Sequence, residues 1–169
     1  SGNGNYNSVV SAAIPVSVIS DQPPIPSPGG PVSVAVGGGS LVTGSAAFTT
    51  PTNPPASQSF PYGVFTFSAN TSVGGSITIT LTYPQALPAG TRIMKQLNGT
   101  WIDWTDRTTI AGRVITFTLT DGSYGDANPA AGVITDPIGP VIPNTPTPSP
   151  SPIPTLSIGT KLMMLFVMI

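Results

Sequence analysis

Histidine, cysteine and glutamate occur nowhere in this chain of 169 residues, and charged side chains of all kinds make up only 7% of it. Each absence removes a class of chemistry. Without cysteine there is no disulfide, no thiolate nucleophile and no sulfur ligand for zinc. Without histidine there is no imidazole base for a Ser-His-Asp or Cys-His system. With glutamate missing, six aspartates are the only side-chain carboxylates left for acid-base work. The composition therefore points away from an enzyme. The lack of cysteine also removes the usual marker of an oxidising compartment, so an extracellular, cell-surface location has to be argued from other features.

Charge is thin as well as incomplete. A typical soluble domain is about 25% charged, whereas this chain has five basic and six acidic residues and a net charge of −1. So weakly charged a surface is poorly defended against association, and contact with other protein is expected. The basic residues Arg92, Lys95, Arg107, Arg113 and Lys161 form no run, which removes the electrostatic basis for a nucleic-acid partner. No signal peptide is visible, and the opening Ser-Gly-Asn-Gly-Asn has the character of a mature terminus after cleavage.

What is abundant is glycine (19) and proline (21), and the prolines are clustered. Pro23, Pro24, Pro26, Pro28 and Pro31 separate the first twenty or so residues from the rest, and a second cluster runs from Pro137 to Pro154 through TPTPSPSPIP. Proline fixes φ and has no N–H, so the second cluster reads as an extended spacer of roughly 3 Å per residue.

Between the clusters the hydrophobic period is two. Ile77, Ile79, Leu81 and Tyr83 alternate with threonines, as do Ile115, Phe117 and Leu119; Val32, Val34 and Val36 make a third such strand, and Phe65 with Phe67 anchors a fourth. Asn98-Gly99 suits a tight hairpin turn between Arg92 to Leu97 and Thr100 to Trp104, and Ala111-Gly112 a second. Seven or eight short strands with Gly/Pro turns predict an all-β chain. The expected fold is an antiparallel β-sandwich of Ig-like or Greek-key type, with an extended N-terminal strand and a Pro-rich C-terminal linker. The boundaries follow: residues 1–30 as N-terminal strand and tether, 31–139 as the sandwich, 140–155 as linker and 156–169 as an apolar tail.

The N-terminal segment alternates too. Val10, Ala12, Ile14, Val16 and Val18 share one face of a strand over Val9 to Ile19, and Pro15 confines that strand to a sheet edge. Two readings stand: the first strand of its own sandwich, or a strand donated to the sheet edge of a neighbouring subunit.

FPYGVFTFS at Phe60 to Ser68, SITITLTYPQALPAGT at Ser76 to Thr91, NGTWIDWTD at Asn98 to Asp106 and ITFTLTDGSYGDANPAAGVITDPIGP at Ile115 to Pro140 follow one another in an order and spacing that resembles the bacterial choice-of-anchor surface domains, most closely type U. The resemblance covers about Val32 to Pro140 and implies a secreted or surface-anchored module without known catalytic activity, placed just before a sorting tail. IPTLS at Ile153 to Ser157 is similar to the opening of the IPTL type of C-terminal sorting signal, which would anchor a precursor in the membrane. The Glu-Trp that follows in that signal is missing here. Leu162 to Ile169 is apolar throughout but only about eight residues long, against the roughly 20 of a spanning helix. It is read either as a shortened sorting segment or as packing between subunits, through Leu162, Met164 and Phe166.

Candidate sites are few. Asp121, Asp126, Asn128 and Asp136 fall in or near a Gly-rich loop that could gather oxygen ligands for calcium; the plainer alternative is that they hydrogen-bond the turn backbone. Otherwise no cofactor is expected. Trp101 and Trp104 could stack a sugar together with Tyr62 or Tyr124, except that an odd separation along a strand sends them to opposite faces. Asp103 and Asp106 are a weak candidate for a glycosidase pair. Lys95 shares a face with Ile93 and Leu97, and if that face is inward an isopeptide link to an Asn or Asp is conceivable, although no glutamate is present to assist.

The functional expectation is a structural surface protein, a filament or surface-layer subunit joined to copies of itself by strand exchange through Val10, Ala12, Ile14, Val16, Val18 and the tail residues. The alternative is an anchored adhesin or glycan-binding module.

Overall fold

Alternation of apolar and hydroxyl side chains turns directly into layers. In the computed structural model, which describes residues 22–143, β1 (Ser33–Gly37), β6 (Ser76–Thr82), β10 (Val114–Thr120) and β9 (Thr108–Ala111) form one sheet, in that order. Register aligns the apolar rows: Val36, Ile79 and Phe117 lie side by side, as do Val34, Leu81 and Ile115, and all are buried. The other face is threonine. Cross-strand hydroxyl pairs Ser76–Thr120, Thr78–Thr118 and Thr80–Thr116 lie at 2.7, 3.0 and 3.5 Å, so β-branched side chains that favour the strand also solvate it without charge.

The second sheet runs β2 (Ser40–Leu41), β5 (Val64–Asn70), β11 (Val133–Pro143), β7 (Arg92–Leu97), β8 (Thr100–Asp103), with β3 (Ala47–Thr49) beside β5 and β4 (Gln58–Ser59) beside β11. It presents Phe65, Phe67 and Ala69 of β5, Ile134 and Ile138 of β11 and Ile93 of β7 to the first sheet. All the strand pairings are antiparallel. The fold is thus the antiparallel β-sandwich that the alternation predicts, with eleven strands among the described residues rather than seven or eight, the extra ones being short.

The turns follow from backbone preference. Asn98 and Gly99 both take positive φ, 50° and 79°, as a two-residue turn matched to strand twist requires. The next hairpin is shifted by one residue from the expected Ala111-Gly112: Ala111 pairs with Val114, so Gly112 (φ 58°) and Arg113 make the turn.

Two boundaries differ from those read off the proline clusters. Residues 22–30 are part of the sandwich rather than a free tether, because Ile25, sitting between prolines, keeps its own N–H. It exchanges two backbone hydrogen bonds with Val32 at 2.8 and 2.9 Å and is buried in the core. Residues 140–143 are likewise the end of β11 rather than a linker. That strand lies inside its sheet although Pro137 and Pro140 lack donors, and staggered partners make this tolerable. β5 pairs along Val133 to Ile138 and β7 along Ile138 to Val141, so neither side needs an unbroken ladder.

Truncating a side chain in the shared core should cost far more than changing the threonine face. Phe67→Ala is expected to lower the unfolding free energy by about 3–5 kcal/mol, and Thr118→Val on the exposed face to change it by less than about 0.5 kcal/mol, measured by chemical denaturation.

Candidate functional site

Alternation along β11 carries Ile134, Asp136 and Ile138 to the interior, and along β7 it carries Ile93 and Lys95 there as well. Ile138 stands opposite Lys95 in the register, which puts Asp136 one diagonal step from Lys95 on the same face of neighbouring strands. The two meet. Lys95 Nζ contacts Asp136 Oδ1, and both side chains are wholly shielded from solvent. Neither Nζ nor either carboxylate oxygen has a further hydrogen-bond partner among the described residues. The Trp104 ring lies 5.4 Å from Nζ, and Phe67, opposite Asp136 on β5, completes an apolar surround.

Burial works against both charges. It pulls the Lys95 amine below its ordinary pKa although the Asp136 charge pulls the other way, and it pushes the Asp136 carboxyl up to about 6 in spite of Lys95. A buried ion pair without supporting hydrogen bonds adds little stability compared with two apolar side chains of the same size. Its presence at the centre of the sheet is therefore the most unusual chemical feature of the described residues.

Of the four residues predicted to gather calcium, Asp126 and Asn128 are brought together around Thr135, while Asp121 and Asp136 have other partners. Asp136 is committed to Lys95 in the core. Asp126 Oδ1 accepts from the N–H groups of Asn128 and Thr135, and its Oδ2 from Gly122. Asn128 donates through Nδ2 to Thr135 Oγ1 and accepts from the Ala130 N–H. Asp121 accepts from the Gly74 N–H at 2.8 Å, and the backbone amides of Gly132, Gly74 and Val133 hold its carboxyl below the usual range. The loop residues therefore act as turn formers that tie backbone amides. Among the described residues no three acidic, histidine or cysteine side chains converge as a metal site would need.

The aromatic candidates divide as their spacing predicts. Trp104 is buried, with Arg107 over its ring at 4.6 Å and Tyr124 at 5.6 Å. Trp101 is half-buried, packs on Phe60 and donates from Nε1 to the Thr52 carbonyl. Tyr62 is buried against Tyr83 at 4.6 Å. Of the four, Tyr124 alone stands mostly in solvent, 63% exposed, so no sugar platform is assembled. Asp103 is held by Arg92 and by Thr105 and belongs to the β7–β8 hairpin, while Asp106 lies in the short 3-10 turn Thr105–Arg107.

A second feature lies at the rim. A cleft of about 360 Å³ opens beside β1 and β2 and is lined by Gln22, Val36, Gly39, Leu41, Val42 and Gly44, among others. β1 and β2 are edge strands of opposite sheets, so the cleft is an open seam of the sandwich. The expected subunit contacts Val10, Ala12, Ile14, Val16, Val18, Leu162, Met164 and Phe166 lie outside the described residues.

Fold and site together define an antiparallel β-sandwich with a lysine and an aspartate enclosed in its wall. No family model matches the chain, and neither a curated protein nor a solved structure matches it.

Removing one member of the pair strands the other. Asp136→Leu should be about 3–5 kcal/mol less stable than the double variant Lys95→Met/Asp136→Leu, in which no charge is left stranded, in chemical denaturation. Asp121 behaves differently. Its folded pKa lies below the ordinary 3.8, so the stability it contributes is complete above pH 3.8 and lost as the pH falls through the lower folded value. Asp121→Asn should remove that part of the acid sensitivity, read as a flatter melting-temperature profile between neutral and strongly acidic pH.

Proposed function

We propose that the chain is a structural subunit of an extracellular filament or surface layer, joined to copies of itself by strand exchange. The observation that carries this is the seam beside β1 and β2. Gln22 lines it, and Gln22 follows by only three positions the alternating apolar segment that ends at Ile19. An edge strand offers unpaired backbone groups to an added strand, and half-buried Leu41 and exposed Val42 offer it apolar contact. Each large aliphatic side chain of a neighbour's Val9 to Ile19 segment buried in such a seam would contribute about 1.5 to 3 kcal/mol. Low charge favours the same outcome, since little repulsion opposes approach of a second copy. The extracellular setting is supported by the resemblance of the motif order to that of choice-of-anchor domains and of IPTLS at Ile153 to Ser157 to a sorting signal that would hold a precursor at the membrane.

The glycan-binding alternative has less behind it, because Trp104 and Tyr62 are buried and Asp136 is taken by Lys95. Deleting residues 1–20 should leave a folded sandwich and abolish the polymers formed by the full chain, as seen by electron microscopy. Polymers of undiminished length from the deletion variant, or a full-length chain that stays single at high concentration, would refute strand exchange.

A further inference from the structure

Lys95 and Asp136 meet head to head inside a hydrophobic wall, with Nζ against Oδ1 and, among the described residues, no third group to satisfy what remains of either. An ion pair kept for stability alone would be expected to collect further hydrogen bonds there. The surroundings supply instead the face of Trp104 and the side chains of Phe67, Ile93, Ile134 and Ile138. We propose that these two side chains condense into an intramolecular isopeptide bond, Lys95 Nζ to Asp136 Cγ.

The reaction balances without an oxidant or a co-reactant. A C–N bond forms and one carboxyl C–O bond breaks. Of the three protons carried by the ammonium, one stays on the amide nitrogen and two leave on the departing oxygen as water. Three features favour it. The amine and carboxyl are held in contact by adjacent strands, β7 and β11, so the encounter is paid for by folding and the effective concentration is high. Burial disfavours the ammonium and the carboxylate, and so favours the neutral amine that can attack and the neutral acid that can lose water. The amide product also removes two charges from a place where neither is hydrated. The Asp126 charge, acting at a distance, raises both groups, favouring the neutral Asp136 acid but also the Lys95 ammonium, against which burial is the larger effect. The Asp126 carboxylate is occupied by the backbone amides of Gly122, Asn128 and Thr135, so it works through its field and not by moving a proton.

The bond would enclose β8, β9 and β10 in a covalent loop, in a chain that has no cysteine to close one by disulfide. A load applied through β11 would then pass directly to β7. This cross-link is independent of the strand exchange proposed above, because it lies within one sandwich.

Intact-mass spectrometry of the folded full-length protein should find it lighter than its sequence by one water. In a tryptic digest Lys95 should resist cleavage, leaving Ile93 to Arg107 joined to Val114 to Lys161 as one branched species. Asp136→Ala should restore the full mass and cleavage after Lys95. The sequence mass in the wild-type protein, with Ile93 to Lys95 released as a separate peptide, would overturn the proposal, and the pair would be ionic only. A water lost equally from Asp136→Ala, as cyclisation at Asp121-Gly122 would produce, would overturn it too. The wild-type measurement decides the matter even if the variant fails to fold.

Discussion

An amine and a carboxyl shut away from water at the same point of a sheet have to satisfy each other, and that requirement governs how β7 and β11 lie. The side-chain period of a strand is two, so a slip of one residue in β11 would turn Asp136 outward and leave the Lys95 charge alone in the core. The same slip would expose Ile134 and Ile138. Polar and apolar residues on this face therefore specify one register together. The apolar rows alone penalise a slip by lost burial, and the enclosed pair adds the cost of an unpaired buried charge. β11 needs that extra constraint more than other strands do, because Pro137 and Pro140 reduce its ladder of backbone hydrogen bonds.

The first sheet reaches the same definition by another route. Threonine opposite threonine on β6 and β10 gives a solvated outer face with no charge, while Ile77, Ile79, Leu81, Ile115, Phe117 and Leu119 fill the inner one. Charges are few, and several of those among the described residues are used locally: Arg92 with Asp103 across the β7–β8 hairpin, Arg107 over the Trp104 ring, Asp121 and Asp126 on loop amides. Solvation of the outer face and turn geometry thus rest on hydroxyl and amide groups, whereas, among the described residues, the one ion pair taken wholly out of water sits in the second sheet.

The loops show a related economy. The β10–β11 connection is tied by carboxylates that accept from main-chain N–H groups, and Gly125 passes so close to Trp104 that a Cβ there would meet the indole at 2.7 Å. Trp104 in turn forms part of the surround of Lys95. A loop whose acidic residues suggested a metal site is in this way a lid over the aromatic wall of the buried pair. Its acids point at backbone donors rather than at a common centre.

Much of the fold was legible because burial on one face imposes a period that survives in the residue order: the strands around Val34, Phe65, Ile79 and Phe117 and the different burial of Trp101 and Trp104 follow from it, while the turn at Asn98-Gly99 follows from the positive φ those two residues accept. Proline density misled at both boundaries. It reports missing donors and fixed φ, but not whether an intervening residue such as Ile25 has a strand to pair with. That Lys95 shares a face with Ile93 was visible from their spacing, though not that the face is inward, and the alternation of Asp136 with Ile134 and Ile138 was the signal that could have placed Asp136 beside it. Local sequence thus determined which residues face in and where the chain turns, since both depend on neighbours along the backbone. Only the tertiary structure decided that Lys95 and Asp136 touch and that β1 and β2 leave a seam, because strand order across a sheet is settled by contacts between segments far apart in the chain.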